Sequence, residues 1–241
     1  MANESDIVKK SEAFLNDIGM TATEWLLTMG KYKSHILQLD DTSYKKFAEL
    51  YEKIINKDFT QTDKGKMLED LTALLLYQGY PGIFECRRNL RTSSNEIDLQ
   101  LCWTENARMA GIDRVFPFLE DSFLCECKNY KKSVDVTYVG KFFSLLHVAR
   151  CKIGIMIAWN GIAGRSKWSD ASGLIRKIAL RDNTYIIPIE KNDFKAIYEQ
   201  QNNIFSIIRD KYLALQNDID YSAYVQHHEL EELFNKANKI I

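Results

Sequence analysis

Glu126 and Lys128 stand two positions apart in the stretch FLCECK, and chemistry is first legible in that spacing. If residues 123–128 form a strand, alternation puts Leu124, Glu126 and Lys128 on one face and Phe123, Cys125 and Cys127 on the other. A carboxylate and an ammonium then share one side of one strand. In EIDLQL the same alternation sets Glu96, Asp98 and Gln100 against Ile97, Leu99 and Leu101. Each strand delivers an acid to a defined side, so Asp98 and Glu126 converge if the strands are neighbours. Two carboxylates and a backbone carbonyl, that of Cys127, are hard oxygen donors of the kind that suits Mg²⁺, with Mn²⁺ able to substitute. Such an ion neutralises charge developing on a phosphate oxygen and acidifies a bound water. A lysine beside it can orient that water and stabilise the charged transition state. Taken alone, Glu-x-Lys is also what an exposed edge strand carries for solubility.

The elements that must position these residues are readable around them. Apolar residues recur at helical spacing from Asp6 to Ile18 and from Thr42 to Ile55, with Asp40, Asp41 and Thr42 as candidate caps for the second helix. Lys66 to Gln78 reads as one apolar helix, closed by Gly79 and by Pro81 beyond it. Residues 82–89 and 96–102 alternate like strands across the polar turn Arg91 to Asn95. A connection of irregular character, or a long hairpin, leads to the strand at 123–128. Thr137 to Arg150 is a helix capped by Asp135 or Thr137, and 152–159 is a strand apolar enough to be buried on both faces. Ser169 to Arg181 is a further helix, 184–190 a last strand, and the chain is helical again from Asp193. The order αβββαβαβ predicts an α/β core with a mixed sheet. Three segments are expected: helical residues 1–63, an α/β core at 64–191, and helical residues 192–241.

Composition and charge narrow the function classes. The chain has 241 residues, 46% of them hydrophobic and 27% charged, which describes a globular protein and excludes disordered and fibrous classes. No apolar run is long enough to span a bilayer, and the polar opening MANESDIVKK does not read as a signal peptide. The five cysteines show no paired spacing and the four histidines supply no cluster, so a zinc site is not expected. Reduced, mostly buried thiols fit a cytoplasmic protein. The net charge of −1 hides an asymmetry: residues 1–63 carry −3, residues 64–191 carry +5 and residues 192–241 carry −3. Arg87, Arg88 and Arg91, then Lys131 and Lys132, then Arg165 and Lys167 lie near the chemical strands, so the middle of the chain is where a nucleic acid would bind.

Over residues 64–190 the sequence resembles the PD-(D/E)xK nuclease superfamily, and within it the Mrr-like restriction endonucleases. The matching pieces run in the family's order: KGKMLEDLTALLLYQGY, NEIDLQL, FLCECKNYKKSVD, a helix, then IGIMIAWNGIAG. The resemblance implies a restriction-endonuclease-like αβββαβ core with a mixed central sheet flanked by helices, to which the terminal helical segments are additions. It puts Asp98 at the metal-binding acid, Glu126 and Lys128 on the (D/E)xK, and Glu69 at a frequent first-helix glutamate. Ile97 stands where the motif has proline, and Lys141 where Mrr-like members often carry glutamine. The loop from Asn160 to Lys167 matches one that lies near the site, which makes Arg165 and Lys167, with Lys131 and Lys141, the candidate DNA contacts. The implied activity is Mg²⁺-dependent hydrolysis of DNA phosphodiesters in restriction or defence. A homodimer or a defence partner would engage the terminal helices. The alternative is a catalytically idle nuclease fold that binds nucleic acid or a protein.

Overall fold

The structure, a computed structural model, describes residues 4–25, 27–28, 37–56, 58–91, 96–128, 132–164, 170–200 and 202–217; the side chains of residues 4–8, 88–91 and 96–98 are outside that description. It forms two compact units, Met1–Gln38 and Leu39–Ile241. The first contains helix α1 (Glu4–Asp17), whose Phe14 meets Trp25 edge to face at 6.0 Å. A second turn of helix begins at Thr21, whose backbone N–H and hydroxyl both donate to Glu24 at 2.8 Å and hold that carboxyl below its ordinary range.

In the second unit, α2 (Asp41–Ile55) is started by Asp40, which accepts from the Ser43 N–H at 2.7 Å. That bond keeps the Asp40 carboxyl below its ordinary range. Phe47, Tyr51 and Ile54 recur on one side of α2 and are buried. Helix α3 (Gln61–Ala73) starts earlier than apolar periodicity alone indicates, because Thr60 and Asp63 form a reciprocal capping box ahead of the first apolar residue. Its last turn widens into a π-helical turn, Leu74–Gln78. Gly79 ends it with a right-handed φ of −73°, not as a left-handed cap. The glycine is needed for room, since a Cβ there would lie 2.4 Å from Leu39 Cδ2 and 2.9 Å from the Leu74 carbonyl.

Five strands follow: β1 (Phe84–Arg91), β2 (Glu96–Trp103), β3 (Ser122–Lys128), β4 (Ile153–Ala158) and β5 (Tyr185–Ile189). They lie in sequence order in one sheet, with β1, β2 and β3 antiparallel and β3, β4 and β5 parallel. The sheet is therefore mixed, as the sequence predicts. The parallel pairs require crossovers, and α5 (Val136–Ala149) and α6 (Asp170–Asp182) supply them. Both pack over Leu124, Met156 and Ile186 on one face. There, a Cβ at Gly154 would come within 2.6 Å of Phe142 and 2.7 Å of Leu146, so α5 sits directly on the β4 backbone. On the other face Phe205, from α8 (Ile204–Gln216), stacks on Phe84 at 5.6 Å, and Phe84 meets Phe123 edge-on at 5.7 Å. With helices on both sides, all of β4 is buried, which explains its unbroken apolar sequence.

The β2–β3 connection is a long hairpin with structure of its own: α4 (Glu105–Met109) and two short 3₁₀ turns, Asp113–Val115 and Pro117–Leu119. It buries Ala107, Ile112, Phe116 and Leu119, and so belongs to the core. After β5 come α7 (Lys191–Tyr198) and α8, joined by a buried ion pair of Asp193 with Lys211 at 2.6 Å. No described helix is long and apolar enough to cross a membrane.

Candidate functional site

β3 carries the two residues that the spacing singled out, and the strand ends on them. Leu124 and Cys125 are fully buried, Glu126 is 9% exposed, and Cys127 and Lys128 are half-buried as the strand emerges at its C-terminal end. Burying a carboxylate costs several kcal/mol unless a counter-charge accompanies it (on the order of 3–5 for breaking such a pair). Here it is Lys128, whose Nζ pairs with Glu126 Oε1 from the same face of the strand, with side-chain exposures of 20% and 12%. The second carboxylate oxygen, Oε2, is also shielded from solvent. The side chain of Cys127 alternates to the opposite face, so that only its backbone could take part on the Glu126 face.

The neighbouring strands fix what lies beside the pair. In β4, Met156 is in register with Glu126 and Ala158 with Lys128. In β2, Leu99 is opposite Cys125 and Gln100 opposite Leu124. One further step in that register sets the backbone of Asp98 against Glu126. The side chain of Asp98 lies outside the described residues.

Beyond β3 and β4 the chain is fastened again. Val134 forms an isolated parallel bridge with Ile162: its N–H donates to the Gly161 carbonyl at 2.9 Å, and its carbonyl accepts from Ala163 at 2.8 Å. Asp135, the next residue, caps α5 by accepting from Thr137 and Tyr138. Of the two candidate caps, Asp135 and Thr137, Asp135 is the one used. Lys141 lies exposed on α5 with its Nζ 5.5 Å from the Tyr138 ring centroid. Glu69 is exposed on α3, whose buried side is Leu68, Leu71 and Thr72 and which packs against β3. Lys131, Arg165 and Lys167 lie outside the described residues.

Among the described residues, no group of three or more His, Cys, Asp or Glu side chains gathers tightly enough to hold a metal ion. The donor chemistry at the end of β3 still fits a hard divalent cation. Glu126 supplies carboxylate oxygen, Cys127 a carbonyl, and no imidazole or thiol is on that face of the strand to favour a softer metal. The described cysteines form no disulfide.

The order of elements, the mixed sheet and a Glu-x-Lys at the exit of its third strand together match one known pattern. The profile of the restriction endonuclease catalytic domain of Mrr type covers residues 61–187. This chain belongs to the Mrr-type restriction endonuclease family. The match runs from the first residue of α3 into β5, so the family's domain is α3 and the sheet, with α4, α5 and α6. Helices α1, α2, α7 and α8 lie outside it. No curated protein matches the chain. The family is one of nucleases, and its superfamily generally works with divalent metal ions.

One group was not singled out from the sequence: Glu190, which accepts from the Ile162 N–H at 3.2 Å. Its signal was a charged residue closing the apolar run TYIIPI, three positions before Asp193.

Proposed function

We propose that this protein is a Mg²⁺-dependent endonuclease that hydrolyses DNA phosphodiesters, serving restriction or defence in the cytoplasm. The observation that carries the reading is the Glu126–Lys128 ion pair at the exit of β3, beside the strand β2 whose sequence contains Asp98. Asp98, Glu126 and the Cys127 carbonyl would hold Mg²⁺, with Mn²⁺ as a substitute, and Glu69 would support that shell from α3. When bound, the ion supplies Lewis-acid stabilisation and a more acidic water.

The chain's own residues do the rest. Glu126 holds the Lys128 ammonium at the strand exit, where it can hydrogen-bond a non-bridging phosphate oxygen as charge develops there. The low-dielectric floor beneath, formed by Leu124, Met156 and Ala158, strengthens that contact relative to water. Lys131, Lys141, Arg165 and Lys167 would contact the DNA backbone and set register without reading bases. We assign the chemistry to residues 64–191 and packing, dimerisation or partner binding to segments 1–63 and 192–241.

The test is incubation with plasmid DNA in Mg²⁺, in Mn²⁺ and in chelator, alongside the Glu126→Ala protein. Metal-dependent nicking or linearisation by the wild type, absent with chelator and with the variant, is the expected result. Cleavage that survives chelation, or that Glu126→Ala retains in full, removes the assignment. DNA binding without cleavage under any metal would instead favour an idle nuclease fold.

A further inference from the structure

We propose that Glu190 is a positioning residue for this site, holding the loop after β4 in place and through it the segment that follows the Glu126–Lys128 strand. The inference rests on the nuclease reading and adds to it a residue outside the family's matched segment, which ends at residue 187.

The connection can be followed bond by bond. Lys128 and Ala158 are the last paired residues of β3 and β4, so the chain leaves both strands at one edge of the sheet. The two exits meet again at the Val134–Ile162 bridge, which ties Val134 to Gly161 and Ala163. The β4 exit is in turn anchored from β5. Glu190 Oε1 accepts from the Ile162 N–H, and the Lys191 N–H donates to the Trp159 carbonyl at 3.3 Å. Gly161 has the left-handed φ of +79°, and a Cβ there would stand 3.3 Å from Glu190 Oε1. A glycine is thus required by the backbone and also leaves room for the carboxylate.

Glu190 itself is fixed from behind. Its N–H donates to Asp193 Oδ2 at 2.6 Å, and the same oxygen accepts from Lys211 Nζ at 2.6 Å. Lys211 also donates to the Pro188 carbonyl at 2.8 Å, two residues before Glu190. Asp193 is 8% exposed, so this support is inside the protein. A rigid anchor at the end of β5 therefore sets the Ile162 amide by a charge-assisted bond, and Ile162 sets Val134. Val134 precedes the Asp135 cap, so the start of α5, which carries Lys141, is fixed by the same chain of contacts.

Misplacing catalytic groups by about 1 Å can cost roughly 10²-fold in rate. Removing the carboxylate should loosen both exits without touching Glu126 or Lys128. Glu190→Gln keeps an oxygen acceptor for the Ile162 N–H, whereas Glu190→Ala does not. The experiment compares kcat and KM for plasmid cleavage in Mg²⁺ by the full-length wild type, Glu190→Ala and Glu190→Gln. Amide hydrogen exchange of residues 132–135 and 160–164 is followed in parallel. Glu190→Ala should lose about tenfold or more in kcat, with KM raised because the same contacts hold α5 and its Lys141, and exchange should quicken in those two segments while β3 and β4 stay protected. Glu190→Gln should restore most of the rate and the protection. Undiminished kcat in Glu190→Ala beside an active wild type overturns the proposal and leaves the nuclease reading intact. So does an equal loss in both variants, since the acceptor would then be irrelevant. A wild type that cleaves under no metal overturns the nuclease reading, and this proposal falls with it.

Discussion

At the scale of single residues, the molecule places an acid and a base where neither is stable alone. Glu126 and Lys128 are both largely buried, and each is the counter-charge that makes the other tolerable. Replacing one should therefore carry a stability cost as well as a catalytic one, and a cycle of substitutions separates the two. Lys128→Met should lower cleavage by about 10²-fold or more by removing a transition-state contact, while Mg²⁺ binding in calorimetry survives. Glu126→Gln should abolish cleavage and metal binding. In urea unfolding, each single variant should lose about 1–3 kcal/mol, and the double variant less than their sum, because no charge is then left buried without its partner. Strict additivity would mean that the two charges do not sense each other in the folded protein. This pair was legible from sequence because alternation on a strand leaves two residues at i and i+2 no choice of face. Glu69 was less so: only the resemblance pointed to it, and its exposure beside buried Leu68 shows that it lies off the packed side of α3.

Secondary-structure elements were readable to the extent that their stability is local or their burial complete. β4 announces itself because helices cover both faces, and α5 because Asp135 caps an amphipathic run. The start of α3 was missed because its first turn, QTDK, has no apolar residue and is held by Thr60 and Asp63 instead. The β2–β3 connection is the long hairpin that was one of its two expected forms, but its helix could not be read because it is a single turn, whose stability comes from burying Ala107, Ile112 and Phe116 against distant residues. Gly154 belongs to the same scale. Nothing in its neighbourhood of sequence says that it is a contact surface, yet α5 rests on it. Gly154→Ala should destabilise the protein by about 1–3 kcal/mol through overpacking against Phe142 and Leu146. Because α5 must move outward, DNA binding through Lys141 should weaken as well. Denaturant unfolding and a binding titration on the same sample check both, and a neutral change in stability would show that α5 is not seated on that backbone.

For the molecule as a whole, the distribution of charge carries information that the net value conceals. Residues 64–191 hold a surplus of +5 between flanks of −3 each, so a polyanion is attracted to the α/β core and repelled by both ends. The profile match covers nearly the same stretch, residues 61–187, which puts the basic surplus and the nuclease fold in one segment. If Lys131, Lys141, Arg165 and Lys167 each neutralise one phosphate, the logarithm of the binding constant should fall against the logarithm of salt with a slope of about −3 to −4 for duplex DNA. The cleavage-deficient Glu126→Gln protein allows this measurement without substrate loss. Adding Arg165→Ala and Lys167→Ala should reduce the slope by about 2 and weaken binding to every DNA sequence alike, because phosphate contacts carry no base information. Losing affinity for one sequence only would instead mark these two residues as base-reading. A slope that does not respond to their removal would take the loop after β4 out of the DNA-binding surface and move the surplus charge to another face.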